Sequence, residues 1–365
     1  MKLLVDWLHR LRTASGTPDE LREHVFRAIV PGLHTNIVTD TLIKLEPVGR
    51  CSPRPGLTDP SAAALLRFFD TLPRTLRTSI LASEIGALLA LASGQQIEVA
   101  MELLVKVEGQ LDTFFLGLGP TIDRTCRGPI TPGAQAEFIE SLSRVESLDP
   151  GDLEALSAAS NLHYAALLLS DHDLRSAYLL LVSALEVLSR QFGVPPTDWH
   201  RWEGSEAWDA LFQRVALSDE QASVVREFLM KDRQLRLKAT FRDYAATRLP
   251  DSFWDQEWEE WLYPFHTALK DWGGVERHAK PIREVLPFDR DLLFRSLGYT
   301  YDIRSSLVHK GVHIDRLSMG VRAGAPVEPT EPLPYAVLRA VVRALIRIEL
   351  SSRSEVIDLP DIRFI

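Results

Sequence analysis

The segment YDIRSSLVHKG, Tyr301 to Gly311, carries an arginine at Arg304 and a histidine at His309 just before a glycine. A guanidinium is a planar fork of donors that matches phosphate oxygens, and an imidazole titrates near neutrality. Together they can break RNA without a metal. The ribose 2′-hydroxyl attacks the adjacent phosphorus, a histidine moves the proton, and an arginine stabilises charge on the phosphorane. Ordinary DNA lacks that hydroxyl and would survive. Chance often supplies Arg-x4-His, so a second reading stands beside the first: a helix end with cations in its last turn.

The geometry depends on what holds the pair. With Gly311 as a left-handed residue just past the helix, His309 falls in the final turn, where the helix dipole favours its protonated form. Arg304 is about 140° away around an ideal helix, so the two share no stripe. The arginine's fork wraps back, or both border a groove made with a second helix. Tyr301 precedes Arg304 by three positions and shares its face. The helix carrying them is capped near Asp289.

From Ala134 onward the patterns are helical: AQAEFIESLSRV, GDLEALSAASNLHYAALLLS and DHDLRSAYLLLVSALEVLSRQFG. The third is capped by Asp171 or Asp173, ends at Gly193, and is apolar around most of its circumference, which predicts the central helix of a bundle. Glu186 sits inside that apolar wall and needs a cationic or hydrogen-bonding partner. Arg304 is one candidate; a cap or another ion pair is the alternative. Ser305 can hydrogen-bond a phosphate, and Lys310 either contacts phosphate or only complements the helix end. YAVLRAVVRALIRIEL forms the last helix, its arginines 339, 343 and 347 making a stripe expected to face solvent. His163 reads as a packed histidine.

Before residue 134 the chain is mixed. MKLLVDWLHRLR reads as an amphipathic helix, since Asp6, His9 and Arg10 interrupt the apolar run a signal peptide needs. Gly16 to Val30 shows helix-start signals at Thr17 and Pro18. Thr35 to Gly49 is β-branched and predicts a strand, CSPRPGLTDPS a loop, and Ser61 to Ser93 a helix broken near Pro73. IEVAMELLVKV alternates strictly and predicts a strand, with DTFFLGLG able to pair back on it and a loop over Gly119 to Gly133.

Residues 197–274 hold seven of the eight tryptophans, with Trp254, Trp258 and Trp261 at the spacing of one helix face. That face is packed core or a base-stacking surface. Upstream, Lys231, Arg233, Arg236, Lys238 and Arg242 lie in a basic run from Arg226 to Arg248, a solvated face or a phosphate-contacting patch.

Length and composition set the frame. The 365 residues suffice for two domains, and 45% hydrophobic content fills a core. A net charge of −9 argues against a protein that coats nucleic acid nonspecifically, while leaving room for a local basic groove. Cys51 and Cys126 form no CxxC pair, which points to a reducing compartment without zinc or disulfides. No stretch approaches the roughly 20 uninterrupted apolar residues of a membrane span, so a cytoplasmic location is expected. Clustered carboxylates of a metal-dependent nuclease or nucleotidyltransferase are missing from the motifs, and no cofactor is implied.

The order of AYLLLVSALEVLS, a long insert, YDIRSSLVHKG and a closing helix resembles the HEPN superfamily, in particular its ApeA-like branch. The resemblance spans roughly Asp152 to Leu350 and implies a helical bundle acting as a metal-independent ribonuclease. Such proteins serve in toxin–antitoxin or antiviral systems. It assigns catalysis to Arg304 and His309, with Ser305 assisting where the family commonly has Asn, Asp or His. It implies a homodimer whose two motifs share one cleft, with RNA as substrate and an antitoxin or phage-derived trigger as further partners. Some members bind partners only, which keeps a non-enzymatic module as the alternative. The expected architecture is mainly α. A smaller N-terminal α+β domain (1–133), proposed as a sensor, precedes a HEPN-like helical bundle (134–352, with the Trp-rich insert) and a tail (353–365).

Overall fold

A computed structural model describes residues 1–14, 21–31, 37–39, 42–50, 61–72, 76–95, 97–102, 132–170, 173–232, 234–262, 276–310, 327 and 330–360. Ten α-helices among them make the protein mainly helical, with one five-stranded and one two-stranded sheet. The chain divides into two compact units. The first comprises Met1–Leu181, Glu257–Lys280 and Ile346–Ile365, the second Val182–Gln256 and Pro281–Leu345.

In the first unit, helix α1 (Lys2–Ala14) buries Leu4, Trp7, Leu8 and Leu11 completely, the stripe its amphipathic sequence predicts. Strands β1 (Arg22–Pro31), β2 (Ile37–Thr39), β3 (Ile43–Arg50), β4 (Ser61–Asp70) and β5 (Glu98–Glu102) form an antiparallel sheet ordered β2-β3-β4-β1-β5. Phe26 pairs with Leu66 and His24 with Phe68, while Leu45 also faces Leu66. One sheet face therefore collects His24, Phe26, Ala28, Leu45, Ala64, Leu66 and Phe68, all buried. The Phe26 and Phe68 rings stack at 5.6 Å, and Trp7 meets Phe68 edge-on at 5.9 Å.

Two sequence expectations are corrected here. Residues 22–31 are a strand, not a helix: His24, Phe26, Ala28 and Val30 are buried alternately, and tertiary pairing overrides the start signals at Thr17 and Pro18. Residues 61–70 are likewise a strand, so the helix expected over 61–93 is confined to α2 (Leu76–Ser93). The strand over Thr35 to Gly49 appears as β2 and β3, and the alternating segment as β5, described as far as Glu102. DTFFLGLG, Cys51 and Cys126 lie outside the described residues.

Helix α2 packs against α1, α3 (Pro132–Arg144) and α4 (Pro150–Leu169). Among the described residues α2 is the one helix long and apolar enough to cross a membrane by length and composition; its run is interrupted by Arg77 and Glu84, and 67% of it is buried in the protein core. A Cβ on Gly86 of α2 would lie 2.7 Å from Val99 Cγ2 and 3.3 Å from the Tyr164 hydroxyl. In a helix Gly86→Ala ordinarily gains up to about 1 kcal/mol, but overpacking costs about 1–3 kcal/mol. We expect net destabilisation, read as a lower urea midpoint with unchanged slope; a raised midpoint would show that Val99 yields freely.

The unit closes with distant sequence. Ile357 N–H donates to Ser143 O at 2.9 Å, Glu355 N–H to Ser147 Oγ at 2.8 Å, and Arg144 to Ser354 O at 2.9 Å. These bonds tie residues 354–357 to the end of α3 and the turn after it. The α3 and α4 segments fall in the same unit as the sheet, with α2 packed on both, and the expected C-terminal tail is bonded to this unit over residues 354–357.

Helix α5 (Leu174–Phe192) contributes to both units. Asp173 caps it, its Oδ1 accepting from Arg175 N and Ser176 N at 3.1 Å each. The Ser176 hydroxyl, then its backbone N–H, hold the Asp173 carboxyl below the usual aspartate range. A depressed folded-state pKa gives stability that is present above the unfolded value and lost as pH falls through the folded one. Asp173→Ala should cost about 1 kcal/mol at neutral pH. That difference should vanish in acid, as urea midpoints compared at the two pH values will show.

The second unit also contains α6 (Ser205–Arg214), α7 (Asp219–Lys231), α8 (Leu237–Arg248), α9 (Arg290–Lys310), and α10 (Tyr335–Arg353) as far as Leu345. Ser218 and Gln221 form a capping box that starts α7. Trp199, Trp202, Phe212, Ala222 and Leu229 form a small core, with Trp199 Nε1 donating to Asp209 and Trp202 Nε1 to Leu235 O. Trp254 is buried against Phe253 and Phe288 in a turn; the next segment returns to the first unit as strand β6 (Glu257–Leu262), which pairs with β7 (Glu276–Pro281). The helical face expected for Trp254, Trp258 and Trp261 is thus replaced by a turn and a strand. In α10 Arg339 is buried, while Arg343 and Arg347, the latter paired with Glu137, are half-buried, so the stripe faces solvent only in part.

Candidate functional site

Helix α9 starts where Asp289 Oδ1 accepts from Asp291 N and Leu292 N, at 2.9 and 3.0 Å, and it continues through Lys310. His309 lies in the last described turn of this helix; the side chains of His309 and Lys310, and Gly311, the residue expected to end the helix, lie outside the described residues. Two to four turns earlier, α9 lies along α8. Gly298 permits the close approach, since a Cβ there would meet Arg242 Cδ at 3.2 Å. The Arg242 guanidinium covers the Phe294 ring at 4.3 Å, and Lys238 pairs with Asp302 at 2.8 Å.

That packing directs Tyr301 and Arg304 toward α5. The Tyr301 ring meets Phe241 edge-on at 5.4 Å, and the Arg304 guanidinium lies 5.9 Å from the Tyr301 ring centre. Burial, and then the Glu186 charge, raise the Tyr301 hydroxyl above its ordinary range, so it stays neutral and can donate a hydrogen bond. Arg304 Nη2 is 3.0 Å from Glu186 Oε2. Of the partners open to Glu186, the arginine at 304 is one the structure supplies.

It also supplies a second. Arg190, one turn beyond Glu186 on α5, places Nη2 2.6 Å from Oε1. Sequence reasoning missed it, although the i,i+4 spacing of Glu186 and Arg190 is a readable signal. The carboxylate is buried, its side chain 6% exposed, between guanidinia whose side chains are 29% (Arg304) and 49% (Arg190) exposed. Ser305 is half-buried on the same helix. Glu186, Tyr301, Arg190 and Arg304 are thus one cluster, and two cations against one anion leave it formally positive.

The basic run is not brought to this cluster as a free patch. Lys231 pairs with Glu227, Arg242 with Glu203, and Lys238 with Asp302, while buried Arg236 donates to Pro196 O. Arg233 lies outside the described residues, and His163 is fully buried, as a packed histidine should be. Among the described residues no three His, Cys, Asp or Glu side chains gather to hold a metal ion. No family model, curated protein or solved structure matches this chain.

Proposed function

We propose that the chain is a metal-independent endoribonuclease of HEPN type. The observation that supports it is the anchoring of Arg304: a buried carboxylate on α5 holds the guanidinium in place on the helix whose last turn carries His309. In this reading the ribose 2′-oxygen attacks phosphorus and loses its proton to a base. The P–O5′ bond breaks, and His309 protonates the departing 5′-oxygen. Arg304 neutralises charge on the phosphorane, and Ser305 adds a hydrogen bond. A homodimer would bring two such motifs into one cleft. A growth-arresting role in the cytoplasm against phage, with RNA as target and an antitoxin or phage product as control, follows from the family resemblance alone.

The test is incubation of purified protein with single-stranded RNA in EDTA. Cutting should persist and leave 2′,3′-cyclic phosphate or 3′-phosphate ends. Cutting that EDTA abolishes would instead point to a metal-dependent nuclease. A second reading, a non-enzymatic module that dimerises or binds a partner or RNA, is favoured by the engagement of Arg304 and most of the basic run within the chain. It predicts intact RNA across a broad substrate panel.

A further inference from the structure

We propose that Arg190 is a substrate-contacting residue of the same site, and that with Arg304 it forms a two-guanidinium fork for one phosphodiester group of single-stranded RNA. The inference rests on the ribonuclease reading of Arg304. Glu186 accepts a hydrogen bond from Arg190 Nη2 at 2.6 Å on Oε1 and forms an ion pair with Arg304 Nη2, 3.0 Å from Oε2. Each guanidinium has five N–H donors, so engagement by one nitrogen leaves donors on both for a ligand. Both side chains reach solvent, at 49% and 29% exposure, whereas the carboxylate between them does not, at 6%. An incoming anion therefore meets the cations first and the buried carboxylate only behind them. Another carboxylate acting on the cluster, Glu203, is itself matched by Arg242. The formal surplus of one positive charge is what a phosphodiester monoanion complements.

The rival explanation is that Arg190 only neutralises Glu186. Two measurements on the full chain separate them, using a fluorescein-labelled 2′-O-methyl oligoribonucleotide that cannot be cut by 2′-oxygen attack. In an anisotropy titration over a salt series, Arg190→Ala should weaken binding about tenfold and flatten the log–log salt slope by about 0.7, the signature of one lost single-strand phosphate contact. Arg190→Lys should restore the slope and only part of the affinity, because an ammonium keeps the charge but not the fork. Arg214→Ala, a charge loss at an exposed position of α6, should change neither. Inorganic phosphate should compete the oligonucleotide from wild type and from Arg190→Lys.

A stability loss in Arg190→Ala with an unchanged salt slope overturns the proposal, as does an Arg190→Lys slope that stays flat. The two readings fail separately. If the oligonucleotide binds through Arg190 but RNA is never cut, the ribonuclease reading falls and the fork stands. If RNA is cut and Arg190 leaves the slope untouched, the fork falls alone.

Discussion

Replacing His309 by alanine should lower the rate of RNA cleavage in EDTA by about 10²–10⁴-fold, the contribution of a well-placed proton-transfer group. Alanine is the best helix former, so the last turn of α9 should survive, and the loss should appear without a shift in the melting midpoint. Arg304→Ala makes the informative contrast. It should also lose activity, by about 10²–10³-fold as for other removed charge stabilisers, but it strips buried Glu186 of one of its two cations as well. Activity and thermal stability should fall together in that variant, and only activity in the first. Single-turnover cleavage and circular dichroism melts on the two proteins decide the matter. An alanine at 309 that cuts as fast as wild type would remove the histidine from the chemistry.

The largest stability effect is expected at Trp7. Its side chain is fully buried, its ring meets Phe68 edge-on, and its Nε1 donates to Phe69 O at 2.7 Å. One turn on, Arg10 clamps Asp70 through Nε at 3.0 Å and Nη2 at 2.8 Å. Together these donors fasten α1 to the end of β4. Trp7→Ala removes a large buried ring and should cost about 3–5 kcal/mol, a sizeable fraction of the about 5–15 kcal/mol that holds a typical domain together. Trp7→Phe keeps most of the apolar contact but orphans the Phe69 carbonyl, so about 1–3 kcal/mol is expected. Urea denaturation of both variants checks the order; equal midpoints would assign the whole effect to the hydrogen bond.

The helices after residue 134 were legible because their signals are local: apolar periodicity, the Asp173 and Asp289 caps, and glycine at 193. The sheet was harder. In β4 the face turned to the core (Ala64, Leu66, Phe68) is fully apolar, but so are Leu65 and Phe69 at the alternating positions. Alternation is thereby erased, and the alanines and leucines mimic a helix until pairing with β1 and β3 on either side decides otherwise. Glu186 announced the need for a partner through the cost of burying a lone charge, which made Arg304 one candidate without choosing it over a cap or another ion pair. Arg190 escaped notice because a neighbour on the same helix looks like ordinary surface decoration until the carboxylate between the two arginines is seen to be buried. The roles of the tryptophans were likewise undecidable from spacing alone. Trp254 follows the start of its own turn, and the strand beyond it breaks the helical register assumed for Trp258 and Trp261.

The residues that strap Ser143 and Ser147 come from positions 355 and 357, more than 200 places later. During synthesis the sheet-bearing half must therefore wait, unfinished, while the arginine cluster's entire portion leaves the ribosome. Cutting the gene at a single point cannot release either half whole, and a variant shortened from the front would expose the apolar sides of α3 and α4 rather than simply lose a sensor. Swapping individual side chains, not trimming segments, is the sound way to learn what each half does.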